Sequence, residues 1–235
     1  MFGADAIRCM RRGNGGGGDT DPYWNNVVSL IYPSGPDGST TFSDETGLRT
    51  WSRSGGAVVN TSVAPFAGAG SIAMDGSGDY LTTSHGADFN LSGDFTLELF
   101  AMNNNIGPVR TFVAKRTSYA GYFFAHTTVP FFTFIGNPST DLIGDTPMTQ
   151  GVWHHIAVCN DATSARMYLD GVKIAEMPSV VMNANTSMFY LGRDPNNTSR
   201  DWNGYISQFR ITNGAARYTA DFTPPTEPLD RKSVV

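Results

Sequence analysis

The Asp170-Gly171 pair constrains the fold of this chain more than any other feature of its sequence. A two-residue type I′ turn requires positive φ at both central positions, and the Asp-Gly dipeptide tolerates this conformation well. The short run 167–169 precedes the pair, and Val172 and Ile174 follow it in alternation with polar residues. The pattern predicts a β-hairpin, and therefore an antiparallel sheet.

Short apolar runs recur from Trp24 onward, separated by clusters of Gly, Pro, Asn, Asp and Ser. The 235 residues include 26 Gly and 13 Pro, and no stretch has the periodicity of an amphipathic helix. This composition is typical of an all-β sandwich built from short strands. Further strands are expected at 27–32, 71–74, 80–83, 95–100, 111–115, 121–125, 131–135, 156–159, 188–192 and 204–212.

Charge and apolar run length exclude two classes of partner. The chain has 16 Lys and Arg against 21 Asp and Glu, a net charge of −5, so no basic field is expected to hold a nucleic acid. Its longest apolar runs are far shorter than the roughly 20 residues that cross a bilayer. We therefore expect neither a nucleic acid nor a membrane as partner.

The first 22 residues differ in composition from the rest, with several arginines before a glycine run. Such a segment buries little apolar surface, so residues 1–22 are predicted to form a flexible arm. The sandwich is predicted over 23–229 and a short tail over 230–235. The arm is either a disordered terminus or a segment that orders on a partner chain. In the second case, the contact residues would be Phe2, Ile7, Arg8, Met10, Arg11 and Arg12.

Three sequence blocks carry a family resemblance. The stretch 153–176 combines Trp-His-His, an apolar strand, a polar loop and a strand ending in Asp-Gly. It resembles the central hairpin of the laminin-G-like, concanavalin A-like jelly-roll family, and 89–101 and 191–229 are similar to further strands of that family. The resemblance implies a two-sheet antiparallel jelly-roll sandwich over most of the chain.

The end of the third block is more specific. Ala216-Arg217-Tyr218, followed by Phe222 and a Pro-Pro pair, is similar to sandwich domains of bacteriophage structural proteins. This implies a non-enzymatic virion protein, foremost a capsid decoration or accessory protein. It would dock through its arm on other capsid or tail proteins, as a homo-oligomer or bound to a lattice. The alternative is a carbohydrate-binding or adhesion module, such as a tail or host-attachment protein that binds cell-surface glycans.

Catalytic residue patterns are missing where this family would place them. Its glycosidases carry Glu-x-Asp-x-x-Glu on one strand, whereas 95–100 offers Glu98 alone and the chain has four Glu in total. His154 and His155 are adjacent on a strand, so their side chains point to opposite faces and are interpreted as structural. We therefore predict that the protein is not an enzyme.

Two ligand sites are considered. Asp75 and Asp79 bracket a Gly-Ser-Gly loop, which allows a calcium site; no other cofactor is expected. The alternative is that both are turn formers that bind nearby backbone amides.

A glycan site needs an exposed aromatic ring beside amide or charged groups. Trp202 with Asn203 and Arg200 is the first candidate, and Tyr119 or Tyr122 near 103–105 is the second; Trp24, Trp51 and Trp153 are expected in the core.

Overall fold

The computed structural model describes residues 21–136 and 139–230. Fifteen strands and three short 3₁₀ helices lie within these ranges. The helices are Trp24–Asn26, Ala87–Phe89 and Thr198–Arg200. The strands are β1 (Val27–Ile31), β2 (Ser52–Ser54), β3 (Val58–Asn60), β4 (Ser71–Asp75), β5 (Tyr80–Thr83), β6 (Phe95–Asn103), β7 (Arg110–Arg116), β8 (Gly121–His126), β9 (Pro130–Ile135), β10 (Thr140–Ile143), β11 (His154–Asn160), β12 (Ser164–Leu169), β13 (Val172–Pro178), β14 (Phe189–Leu191) and β15 (Asn203–Asn213).

The strands form two antiparallel sheets that pack face to face. The first sheet has the order β13-β12-β11-β6-β15-β4-β3, with β1 also paired to β15. The second has the order β10-β9-β8-β7-β14-β5-β2. This arrangement confirms the predicted all-β, concanavalin A-like jelly-roll sandwich. β2, β3 and β10 were not predicted, because each is only three or four residues long, and β2 and β10 are also largely exposed.

Alternation along the strands places the core between the sheets. Leu97, Leu99 and Ile156 of the first sheet are fully buried, as are Phe124 and Phe132 of the second, and all five belong to one apolar cluster. Side chains of opposite parity point away from the core. On the first sheet many of these outward side chains are also buried, so a further layer must cover that face.

The Asp170-Gly171 hairpin is confirmed, with φ of 51° at Asp170 and 81° at Gly171. Gly171 is required for a second reason. The amide of Phe222 donates to the Gly171 carbonyl at 2.9 Å, and a Cβ at position 171 would clash with the Phe222 carbonyl oxygen. The turn therefore also anchors the chain that follows the last strand.

That chain, residues 214–229, is called the closing segment. Tyr218 and Phe222 stack on each other with centroids 3.6 Å apart, and both rings contact Tyr168 on the outer face of the first sheet. Leu229 is buried beside β1, where its amide donates to the Gln208 side chain at 2.8 Å. The closing segment is thus the missing layer over part of the first sheet.

The predicted arm, including Phe2, Ile7, Arg8, Met10, Arg11 and Arg12, lies outside the described residues, as does the tail beyond 230. One boundary is wrong: Asp21 was assigned to the arm but is buried and ion-paired within the sandwich. In the described part of the chain, no helix has the length and apolarity needed to cross a membrane.

Candidate functional site

Glu98 lies at the centre of a buried polar network on the outer face of the first sheet. Its Oε1 accepts a hydrogen bond from Nε of Arg210 at 2.8 Å, and Nη2 of Arg210 lies 2.7 Å from the same oxygen. Its Oε2 contacts Nε2 of His155 at 3.1 Å and accepts the Tyr218 hydroxyl at 2.8 Å. Glu98 and Arg210 are fully buried. The carboxylate therefore has no open side that a substrate could reach.

A second ion pair extends this network to the beginning of the sandwich. Arg217 of the closing segment donates from Nη1 and Nη2 to the two carboxylate oxygens of Asp21, at 3.0 and 2.7 Å. Its Nε donates to Oγ1 of Thr212 at 2.8 Å. This bidentate geometry is the strongest form of an Arg–carboxylate contact. The network thus ties the closing segment, β15, β6 and the residues before β1 into one unit.

The network keeps Glu98 ionised. Burial alone would raise the pKa of Glu98, but the Arg210 guanidinium, the hydrogen bond with His155 and the charge of Arg217 outweigh it and hold the pKa far below its ordinary value. A general acid for glycoside hydrolysis needs the opposite shift. Glu98 is therefore a structural residue, as the sequence predicted.

Acid should consequently weaken the fold through Glu98. A carboxylate whose folded pKa is lowered stabilises the fold above its unfolded pKa, about 4.3, and that stability is lost as the pH falls below it. We expect the urea midpoint of the wild-type protein to fall between about pH 4.5 and 2. Glu98→Gln should show a distinctly smaller fall over the same range, because it removes this titration; equal slopes would contradict the assignment.

The paired histidines contact different carboxylates on opposite faces of β11. His154 Nδ1 lies 2.6 Å from Oδ2 of Asp170, and its Nε2 accepts the amide of Thr149 at 3.0 Å. His155 instead contacts Glu98 and packs against Phe222 of the closing segment, with ring centroids 5.6 Å apart. In the described residues, no group of three or more His, Cys, Asp or Glu is placed to hold a metal ion.

Asp75 and Asp79 make the contacts of turn formers, which was the alternative to a calcium site. Oδ1 of Asp75 accepts the amide of Ser77 at 2.7 Å. Asp79 is buried, and its two oxygens accept the amides of Gly56 and Asp75. Calcium binding in this loop stays a prediction.

The expectation that Trp202 is exposed was wrong. Its side chain is fully buried and packs against Phe112 and His126, with ring centroids 4.8 and 5.2 Å away. Trp202 directly precedes β15, and its ring turns into the space between the sheets. A sugar cannot stack on a buried indole.

The other predicted glycan residues do not converge with Trp202. Nη1 of Arg200 donates to Asp194 at 3.0 Å, and its guanidinium lies over the ring of Phe123. Nδ2 of Asn203 donates to the carbonyl of Asp75 at 2.9 Å, at the end of the first sheet. Of the second candidates, Tyr122 is buried and Tyr119 is 82% exposed.

Of the three tryptophans expected in the core, Trp51 is buried, whereas Trp24 and Trp153 are only half-buried.

An apolar row crosses the outer face of the first sheet at the end that the closing segment leaves uncovered. Cross-strand pairing places Tyr205 between Met102 and Ala73, with Val58 beyond Ala73. The ring of Trp153 lies 6.5 Å from that of Tyr205. All five side chains are half-buried. We call these residues the aromatic row.

The neighbouring part of the same face is covered. Phe100 packs against Phe66 with ring centroids 5.1 Å apart, and His155 packs against Phe222. Phe66 belongs to the loop between β3 and β4, and Phe222 to the closing segment. These two segments cover the outer face up to the aromatic row, and the row itself keeps partial solvent access.

A pocket of about 310 Å³ adjoins the aromatic row. Its lining residues are Gly56, Ala73, Met74, Asp75, Asp79, Asn104, Gly204 and Tyr205. Gly204 has a φ of 139°, and a Cβ there would clash with the carbonyl oxygen of Met102, so bare backbone is required at this position. The volume falls at the lower end of the range of about 300 to 1,000 Å³ for ligand pockets.

The groups around this pocket are of the kinds that bind a sugar. Tyr205 offers an aromatic ring and a hydroxyl, and the side chains of Asn104 and Asp75 are exposed. Nε2 of the exposed Gln150 donates to the backbone carbonyl of Asn104 at 2.9 Å, so the Gln150 side chain also contacts this lining residue. An apolar surface with a few convergent polar groups is the general form of a small-molecule site. The row and the pocket together are the candidate functional site.

The comparisons with known proteins agree with this architecture. Residues 75–218 match the sequence profile described as the Concanavalin A-like lectin/glucanases superfamily. The chain belongs to this superfamily. The comparison with curated protein sequences gave no significant match.

Solved structures share this concanavalin A-like fold at low sequence identity. Domain 4 of AbnA, a GH43 extracellular arabinanase from Geobacillus stearothermophilus, in complex with arabinotriose, is 16% identical with a TM-score of 0.64 and covers 81% of this chain and 94% of that one. The botulinum neurotoxin serotype D binding domain is 11% identical, with a TM-score of 0.61. The match covers 80% of this chain and 48% of that one.

A third structure belongs to botulinum neurotoxin type C, whose cell entry depends upon interaction with two ganglioside molecules. It is 12% identical with a TM-score of 0.59, and the match covers 80% of this chain and 48% of that one. The present chain thus spans about half the length of the neurotoxin structures. At these identities the likeness establishes the fold, which is that of lectin-like domains whose members include carbohydrate binders.

Proposed function

We propose that this chain is a non-enzymatic carbohydrate-binding domain of a bacteriophage virion protein, and that the aromatic row and its pocket bind the glycan. The observation that carries the proposal is the partial exposure of Tyr205 and Trp153 beside a pocket with free amide and carboxylate groups. The loop before β4 and the closing segment cover the neighbouring Phe100 and His155, so the row is the part of this region where a ligand can reach aromatic side chains.

The absence of enzymatic activity is supported by the state of the carboxylates. A retaining glycosidase needs two reactive carboxyl groups about 5 to 5.5 Å apart, and an inverting enzyme about 6.5 to 9.5 Å. Glu98 is buried and ion-paired. Asp79 in the pocket commits both oxygens to backbone amides, so it offers no free oxygen to a glycosidic bond.

The virion context is supported by the sequence blocks that resemble phage structural domains. Of these, Arg217, Tyr218 and Phe222 belong to the closing segment, where they hold it on the sheet. In this proposal, the protein is a capsid decoration or accessory protein, or a tail or host-attachment protein in the alternative. The predicted arm would dock on other virion proteins, and repeated copies would convert weak single contacts into avidity.

Three measurements test separate parts of the proposal. On a glycan array, the purified protein should bind a defined subset of glycans, and it should release no sugar from a panel of β-glucans. In particles, a variant lacking residues 1–20 should lose occupancy as measured by mass spectrometry; the deletion ends before Asp21 because that residue is part of the buried network. Sugar release would contradict the non-enzymatic role, no binding to any glycan would contradict the carbohydrate role, and full occupancy would contradict docking through the arm.

A further inference from the structure

We propose that the pocket beside the aromatic row selects uncharged sugar residues and excludes acidic ones, such as sialic and uronic acids. This inference rests on the proposed carbohydrate-binding function and adds the chemical class of the ligand. It follows from the sign of the charge around the pocket and from the hydrogen-bonding groups left free there.

The charge around the pocket is negative. Asp75 and Asp79 both line it, the first exposed and the second with 4% of its surface accessible. Its other lining side chains, among the residues that the structure describes, include no Lys, Arg or His. An acidic sugar would thus meet two carboxylates with no cation in the pocket wall to pair with it.

Two arginines that contact residues next to the pocket lining are engaged elsewhere. Nη1 of Arg53 donates to the carbonyls of Gly55 and Ala57 at 3.0 and 3.4 Å. Arg193 forms a bidentate pair with Asp201 at 2.8 and 2.5 Å, and Oδ2 of Asp201 also accepts the amide of Gly78. Neither guanidinium is among the groups lining the pocket. The negative field of Asp75 and Asp79 is therefore not cancelled by a guanidinium in the wall.

The free hydrogen-bonding groups suit hydroxyls. Oδ1 of Asp75 accepts the Ser77 amide, while its Oδ2 has no hydrogen-bond partner in the described part of the chain and can accept from a sugar hydroxyl. A hydrogen bond to an ionised acceptor is stronger than one between neutral groups. The Asn104 carboxamide can both donate and accept, and the Tyr205 ring can cover an apolar sugar face. The hydroxyls and apolar face of a neutral sugar can pair with all of these groups. The carboxylate of an acidic sugar would instead be repelled by the Asp75 carboxylate.

The test uses pairs of glycans that differ only in charge. A sialylated glycan array and the same array after sialidase treatment are probed with the full-length protein. We expect the desialylated glycans to bind at least about tenfold more tightly, since two like charges at about 4 Å repel strongly in a partly buried site. Equal or tighter binding of sialylated glycans would overturn this inference and leave the carbohydrate function intact. Binding to neither set would overturn both.

A matched pair of variants assigns the selectivity to the pocket. Asp75→Asn keeps the shape of the side chain and removes its charge, so it should reduce the preference for uncharged glycans to a few-fold. Asp141→Asn makes the same change at an exposed position on β10, in the other sheet, and should leave the preference unchanged. Undiminished selectivity in Asp75→Asn, with wild-type stability in urea, would overturn the assignment.

Discussion

Replacing Glu98 with Gln is expected to lower the free energy of unfolding by about 3 to 5 kcal/mol, because removing one partner of a buried ion pair leaves the other charge uncompensated. Arg210 is fully buried, and its next carboxylate is that of Asp21, 3.6 Å from Nη1. Gln keeps nearly the shape of Glu, so the change reports the charge and not a cavity. Urea unfolding at neutral pH measures the effect.

Glu176→Gln is the matched control. Glu176 is also paired, with Arg166 and Lys173, but 37% of its side chain is accessible. Exposed ion pairs contribute about 1 kcal/mol or less, so this variant should remain close to the wild type. A loss of stability in Glu98→Gln no larger than that of the control would show that the buried network does not stabilise the fold.

The second large effect is expected at the candidate site. Tyr205→Ala should weaken glycan binding by roughly 30-fold or more, since truncation of a central aromatic contact residue typically costs about 2 kcal/mol. The fold should tolerate the change, because Tyr205 is half-buried and its ring contacts Trp153. Within the described part of the chain, no hydrogen bond or ion pair joins it to the Glu98 network. Calorimetric titration with a glycan identified on the array measures the change in affinity.

Tyr119→Ala controls for the loss of a tyrosine as such. Tyr119 is 82% exposed and lies in the turn between β7 and β8 of the second sheet, away from the aromatic row. Its replacement should leave the affinity unchanged. Comparable losses in both variants, or unchanged affinity in Tyr205→Ala, would contradict a binding surface at the aromatic row.

Local sequence patterns predicted the parts of the fold that depend on local chemistry. Alternation located most strands, and the Asp170-Gly171 pair located a hairpin whose backbone has the expected positive φ at both positions. The lone Glu98 on its strand was correctly predicted to be structural. In each case the deciding pattern spans only a few residues: an alternation of side chains, a turn dipeptide, or a strand with a single carboxylate.

The candidate site depends on contacts between distant parts of the chain and was missed for that reason. Tyr205 is next to Met102 and Ala73 only because β15 lies between β6 and β4. Trp153 was expected in the core, but its ring lies beside Tyr205 on the outer face and is half-buried. The prediction for Trp202 was wrong in the opposite direction. Its polar neighbours in sequence suggested exposure, whereas packing against Phe112 and His126 of the second sheet buries it.

The most direct test follows the tryptophan indole N–H signals by NMR during titration with a bound glycan. If the aromatic row is the binding surface, the Trp153 signal should shift with the ligand, while those of the buried Trp51 and Trp202 should stay in place. Saturable binding that leaves the Trp153 signal in place would contradict a binding surface at the aromatic row.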